Sequence, residues 1–332
     1  MILTVCTRDQ YGHASHLRNS LKQHHPEQLF LHGMADDSSN ATLISDTELA
    51  VTDTGLTHDQ LDRLSANYTP TEFRAALKPS FIKAAFAQYP EERFLLYVDP
   101  TAFVYQPLTA IFNSLEQHNI MLNPHWLKAP PNDGLLPDEK HLQNVGLFSS
   151  GFIGFRRCPE TDRMLDWWEA RCLDHAAIDF CVGSCLDQLW LMHVPTLFSG
   201  VGILKNPGVQ VALWNLPQRT LTKTANGWQV TDEGKTNIPV PLLTADFLGL
   251  SNQNEGLFQQ QNRLQIRHRP DVGKLLAEYE TASLPSRFPG QVPNYGQQPE
   301  PVVLRGWRRV AKQKLTQFSN WIDNVPVPPI HR

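Results

Sequence analysis

The chain has 332 residues, 41% hydrophobic and 19% charged, so it can bury a sizeable core and has the balance of a globular protein. Its net charge of −4 argues against nucleic acid as the main partner, which usually needs a basic face. Five cysteines, odd in number, do not make a disulfide framework. Cys172, Cys181 and Cys185 lie close together, but with His175 and His193 they complete no familiar zinc spacing, so buried reduced thiols are expected. The apolar start of MILTVCTRDQ is short, and no run approaches the ~18 apolar residues of a membrane span. A cytoplasmic chain is the expectation.

In chain order, residues 2–6 read as a buried strand and 11–25 as a helix through Leu17 and Leu21. QLFLHGM returns to strand and ends at Asp36 and Asp37; ELAVTD is another short strand. Residues 56–68 and 71–90 carry helical apolar spacing, with Pro79 as a break or kink in the second. RFLLYVD is a strand ending on Asp99, PLTAIFNSLEQHN a helix and NIMLNP a strand. The polar, proline-bearing stretch 127–144 reads as a surface loop. SSGFIGFRR is a strand, residues 160–175 a helix and 182–194 a second helix. LTKTANGWQV carries the Asn226-Gly227 hairpin signal, and LLTADFLGL is a late strand. Alternating strands and helices predict an α/β domain over 1–283 with a mixed, mostly parallel sheet. Five prolines mark 284–302 as an extended strap before a C-terminal helical extension, 303–332.

Several of these stretches resemble one family. RFLLYVDPTAFVYQPL is similar to the metal-binding strand of GT-A-fold glycosyltransferases, an apolar strand followed by Asp-x-Asp, and most closely to retaining, glycogenin-like bacterial nucleotide-sugar transferases. FRAALKPSFIKAAFAQYP resembles the helix before that strand, and SSGFIGFRR a stretch that commonly begins with Asn, here Ser149. LDQLWL, NPGVQVALWNLPQR, DFLGL and QNRLQIRHRPDVGKLLAEY follow in the family's order. The resemblance implies a GT-A-like fold, a nucleotide-sugar donor, a glycan or glycolipid acceptor, and Mn²⁺ or Mg²⁺ as cofactor.

It also implies roles. Asp99, at the carboxyl end of its strand, would sit in the ligand crevice of an open α/β sheet and hold the metal. The second carboxylate is absent, since Thr101 stands there; a histidine that usually serves as third ligand is replaced by Asp246 in Asp246-Phe247-Leu248-Gly249. Asp99 and Asp246 could therefore supply the two charges jointly, with Thr101 a weak or water-mediated ligand; alternatively both positions have drifted and the metal is gone. Asp187-Gln188 resembles the pair that faces the donor sugar. Thr4, Cys6 and Thr7, at the end of the first strand, would meet base or ribose. Lys78 and Lys205 are cations available to the diphosphate, and Trp214-Asn215 would line a sugar pocket.

Residues 302–322 form a basic amphipathic stretch, with Leu304, Trp307, Ala311, Leu315, Phe318 and Ile322 on one face and Arg305, Arg308, Arg309, Lys312 and Lys314 on others. It suits either a membrane surface of anionic lipid, reached through 303–322, or docking on the catalytic domain. The leading expectation is a retaining glycosyltransferase of surface polysaccharide or glycolipid synthesis. A non-catalytic relative that binds nucleotide or glycan is the second, with Thr101 and Ser149 in its favour; a peripheral membrane scaffold is the third.

Overall fold

The structure is a computed structural model and describes residues 1–36, 47–232, 237–250, 256–282, 293–300, 306–323 and 325. Asp37, residues 284–292 and 301–302 of the expected strap, and residues 303–305, 324 and 326–332 of the C-terminal extension lie outside the described residues. In chain order the elements are β1 (Ile2–Cys6), α1 (Tyr11–His24), β2 (Phe30–Met34), β3 (Glu48–Ala50), α2 (His58–Asn67), α3 (Pro70–Gln88), β4 (Phe94–Val98), β5 (Ala102–Val104), α4 (Thr109–Leu115), β6 (Ile120–Pro124), α5 (Glu139–Val145), β7 (Phe148–Arg156), α6 (Pro159–His175), α7 (Val194–Leu197), β8 (Val201–Ile203), β9 (Arg219–Thr224), β10 (Gly227–Asp232), β11 (Val240–Pro241), β12 (Thr244–Asp246), α8 (Pro270–Ala282) and α9 (Trp307–Asp323).

Seven strands form one sheet in the order β3-β2-β1-β4-β7-β6-β8. Pairings are parallel except for β7, which runs antiparallel to both β4 and β6. Period-two alternation divides the sheet's side chains between its faces. Leu95 and Tyr97 of β4 join Leu3, Val5, Phe73, Phe81 and Trp168 on the side covered by α3 and α6. Leu96 and Val98 join Ile2, Leu17, Leu21, Ile111 and Leu115 on the side covered by α1 and α4. Both faces are buried, which is why these strands read as unbroken apolar runs. Each fully buried Leu or Phe contributes roughly 1.5–3 kcal/mol. β5 and β12 pair as a separate antiparallel ribbon, and β9, β10 and β11 form a small sheet around Trp214, Leu221, Trp228 and Phe258.

The α/β expectation holds, with local corrections. The stretch expected as a helix over 182–194 is a bridged turn between Asp179 and Ser184, then a 3₁₀ segment over Gln188–His193 and the short α7. Gly183 (φ 70°) and Leu186 (φ 52°) lie in the left-handed region, which no right-handed helix passes through. The loop over 127–144 ends in a helix, α5, started by the Asp138 carboxylate on His141 N (2.7 Å). ELAVTD keeps three strand residues before a 3₁₀ turn, and LLTADFLGL three as well. The β9–β10 hairpin forms, but Ala225 and Asn226 make its turn and Gly227 follows in the left-handed region (φ 103°). Pro79 lies inside α3, which runs through it to Gln88.

Candidate active site

α3 supplies the cations. Its start is fixed by sequence: Pro70 at the first helical position, and a reciprocal box in which Thr69 N donates to Glu72 Oε2 (2.9 Å) and Glu72 N to Thr69 Oγ1 (3.2 Å). The other Glu72 oxygen accepts from Ile178 N (2.6 Å), tying the 176–184 turn to the same end. Arg74 and Lys78, four residues apart, share one face of this helix.

β4 brings Asp99 to them. Asp99 N donates to Gly151 O of β7 (2.9 Å), and Tyr97 Oη donates to Asp99 Oδ1 (2.8 Å). Lys78 Nζ lies 2.7 Å from Asp187 Oδ2 and 3.9 Å from Asp99 Oδ1. It donates to Ser150 Oγ (2.8 Å) and Ser150 O (3.1 Å) and sits 4.6 Å over the Tyr97 ring. Asp187 is 2% exposed, and its Oδ2 meets Lys78 as an ion pair off the angle of a directed hydrogen bond. Burial opposes the Arg74 charge, but Asp99, Tyr97, Cys6 and Asp187 more than offset it and raise its pKa. The Tyr97 phenol is held well above its ordinary value by burial and then by Asp99.

Asp246 arrives on the β5–β12 ribbon, paired with Ala102, so that Thr101 Oγ1 donates to Asp246 Oδ1 (2.7 Å) across 145 residues of sequence. Leu248 N also donates to that oxygen (3.0 Å). The Asp246 carboxyl is pushed up to about 6, first by burial and then by the charge of Asp99, against hydrogen bonds from Leu248 N, Thr101 and Gln210. Gln210 is held at φ 45°, outside the usual range for a side-chain residue, and its Oε1 accepts from Asn123 Nδ2 (2.7 Å). A Cβ on Gly151 would come within 2.6 Å of Asp99 Oδ2 and 2.7 Å of Gln210 Nε2, so the glycine lets the two meet. The result is a buried polar chain, Asn123–Gln210–Asp246–Thr101, beside the charged group Arg74–Lys78–Asp99–Asp187.

The structure sorts the residues expected from sequence. It brings together Asp99, Thr101, Asp246, Asp187 and Lys78. Gln188 is buried nearby, but its Nε2 donates to Val145 O (2.5 Å). Thr7 lines a cavity at the end of β1; Thr4 is fully buried in the sheet, opposite His32, and Cys6 packs on Met34 with its thiol pushed up by burial. Asn215 clamps its own loop, donating to Gln210 O and accepting from Ala212 N (both 2.9 Å). Trp214 is core, packed on His125 and Phe258. Lys205 is exposed beyond β8. Cys172 and Cys185 are buried and Cys181 is exposed; among the described residues no three His, Cys, Asp or Glu side chains are grouped as metal ligands. Arg74, Tyr97, Ser150 and Gln210 belong to the site and were not singled out from sequence. For Arg74 the signal was present, as the i, i+4 partner of Lys78; the Gln210 contacts are long-range and leave no local trace.

β1 and β4 are adjacent, and the order reverses between them, so Thr7 and Asp99 flank the crevice at a topological switch point. This sheet, with one antiparallel strand set in a parallel frame, is the GT-A-like α/β architecture that the sequence resemblance implies. Solved structures similar to the chain include glycosyltransferases. They include the galactosyltransferase LgtC in complex with donor and acceptor sugar analogues (TM-score 0.39, 12% identity, 85% of this chain and 99% of that one). Another is a glycosyltransferase involved in glycosylation of the major capsid of PBCV-1 (TM-score 0.41, 10% identity, 74% and 92%). In sequence, the chain is 28% identical over 195 residues to the uncharacterized protein YfnF of Bacillus subtilis (strain 168), covering 58% of this chain and 62% of YfnF. It is 22% identical over 159 residues to YfnD of the same organism, covering 47% and 49%. The chain thus spans about half the length of the curated relatives it matches. No protein-family model matches it.

Proposed function

We propose that the chain is a glycosyltransferase that moves a hexosyl group from a nucleotide-diphosphate donor to a hydroxyl of a glycan or lipid-linked acceptor, with retention. The observation that carries this reading is the crevice cluster in which Arg74 and Lys78 stand one helical turn apart against Asp99 and Asp187. In the reaction the bond from the anomeric carbon to the diphosphate breaks and a bond to the acceptor oxygen forms. The leaving diphosphate gains negative charge, and two fixed cations in a partly desolvated crevice are placed to stabilise it. Asp187 suits the hydroxyls of the donor sugar as a buried acceptor. With attack on the leaving-group face, the departing phosphate takes the acceptor proton, and no side-chain base is required.

Mg²⁺ or Mn²⁺ fits beside this cluster. Two carboxylates plus phosphate oxygens suffice for such an ion, and the raised pKa of buried Asp246 beside Asp99 marks a place where added positive charge is favourable. Asp99 and Asp246 would hold it, Thr101 orienting Asp246 through its hydroxyl. Bound there, the ion would neutralise charge on the diphosphate. The second reading, a non-catalytic nucleotide- or glycan-binding relative, draws on the same hydroxyl, which stands where the family pattern has a second carboxylate.

The place of action we infer is the cytoplasmic membrane surface. Along α9, every described side chain is exposed except Ala311, which is partly so, and this exposure supports the membrane reading over docking on the domain. Trp307, Val310, Leu315, Phe318, Trp321 and Ile322 share its apolar side, and Arg308 and Lys312 lie at the edge and beyond. Among the described residues no helix is long and apolar enough to cross a membrane.

The test is turnover. A panel of nucleotide sugars is incubated with the protein, and release of nucleoside diphosphate is followed together with transfer to glycan and lipid-linked acceptors. Transfer from one donor, reduced roughly 10²–10³-fold in Asp187→Asn, supports the reading. Nucleotide binding without turnover on any acceptor or water would move the non-catalytic reading ahead.

A further inference from the structure

Beyond α8, residues 293–300 return to the crevice and lie along the junction of α2 and α3. Gln297 N donates to Ser65 O (2.7 Å), Gln298 N to Tyr68 O (3.1 Å) and Gly296 N to Ser65 Oγ (3.0 Å). Tyr295 stacks on Phe73 with ring centroids 4.9 Å apart and planes 13° from parallel. Thr71 N, at the open end of α3, donates to Glu300 (2.7 Å). The buried Asp36 carboxylate joins this segment to the β1 side: one oxygen accepts from Arg8 N (2.6 Å), the other from Asn294 N (3.2 Å).

Between the segment and the sheet is a cavity of about 470 Å³, a size usual for small-molecule sites. One wall is Thr7, Asp9 and Gln10 at the end of β1; the facing wall is Gly296, Gln297, Gln298 and Glu300. Arg74 lines it too, and Arg74 also lies in the field of Asp99 and Asp187. The cavity therefore has amide and carboxylate groups along its sides and one guanidinium, Arg74, that also interacts with the charges of Asp99 and Asp187. That polarity matches a nucleoside with a phosphate at one end: acceptors and donors for base and ribose, a cation for the phosphate.

We propose that residues 293–300 form the nucleoside wall of the donor site, with the Gln297 side chain a base-selecting group. This rests on the reading of the crevice as a nucleotide-sugar site, and it adds that donor binding requires a segment beyond the sheet domain.

The full chain is titrated calorimetrically with the nucleoside diphosphates of U, G, A, C and T, beside two variants that unseat the segment. Tyr295→Ala removes the stack, and Gly296→Val places a Cβ 2.4 Å from Pro70 N at a left-handed position. A third variant, Gln297→Ala, leaves the segment seated. We expect the preferred nucleotide to bind at least tenfold more weakly to both unseated variants. In Gln297→Ala the ratio between the best and second-best base should narrow at least fivefold. Unchanged affinity in the unseated variants, with circular dichroism showing a folded chain, would overturn the proposal and leave the transferase reading standing. Unchanged selectivity in Gln297→Ala would overturn the role of that side chain. If wild type binds none of the five, both readings fall together.

Discussion

Lys78 is the residue on which the crevice depends. It is almost fully buried, as is Asp187, and each is the other's counter-charge. Removing one partner leaves a buried charge uncompensated, at about 3–5 kcal/mol. We predict that Lys78→Met lowers unfolding free energy by that amount in urea titrations, and that adding Asp187→Leu recovers most of it, because apolar groups tolerate burial without partners. A double mutant as unstable as Lys78→Met alone would mean that the pair is not coupled. Gly151 makes a second residue-scale prediction. Its hydrogen is all that fits between Asp99 and Gln210, so Gly151→Ala should cost about 1–3 kcal/mol and weaken nucleotide binding together. Asp99 was legible as the residue that ends an apolar strand, whereas Asp187 and Asp246 were legible only through the family resemblance. Gln210 was not, because its role depends on a left-handed backbone and on Asn123, 87 residues away.

At the scale of elements, periodicity located β1, β2, β4, β6, β7, α1, α2, α3 and α6, since their apolar patterns are imposed by burial on one or both sheet faces. It misread 182–194, where apolar residues at helical spacing are folded by Gly183 and Leu186 into a turn and a 3₁₀ segment. What that irregular backbone does is place Asp187 with its carbonyl on Trp168 Nε1 (2.9 Å) and its carboxylate on Lys78. α9 was visible as an amphipathic basic segment, and its apolar side is open to solvent: Trp307, Leu315 and Trp321 are 77%, 68% and 63% exposed. We predict that the full chain co-sediments with vesicles containing anionic lipid and less with neutral ones, and that Phe318→Glu with Trp321→Glu releases it. Equal sedimentation of the double variant would contradict a membrane role for this face.

At the scale of the molecule, pH couples to folding through histidines held neutral in the interior. His125 is lowered to about 4, chiefly by burial, and His32 likewise. The unfolded chain takes up these protons near 6.5, so stability is complete above that value and is lost as pH falls toward 4. Each histidine contributes roughly 3 kcal/mol to that loss. Unfolding free energy measured from pH 7 to 4.5 should therefore fall, and His125→Gln should make the slope shallower; a parallel slope would show that His125 is not protonated on unfolding. Sequence gave no warning of this, nor of residues 293–300 on α2 and α3, since both depend on contacts between distant parts of the chain.

The transferase reading requires that the Arg74–Lys78–Asp99–Asp187 crevice bind a nucleoside diphosphate. The most direct measurement is thermal unfolding of wild type and Lys78→Met against five nucleoside diphosphates, each with Mn²⁺, with Mg²⁺ and with EDTA. A ligand at 100 times its dissociation constant adds roughly 2.7 kcal/mol, a readable rise in melting temperature. We predict that one nucleotide stabilises wild type, more with metal than with EDTA, and that Lys78→Met gains little from it. No stabilisation by any nucleotide, or an equal gain in Lys78→Met, would contradict the claim.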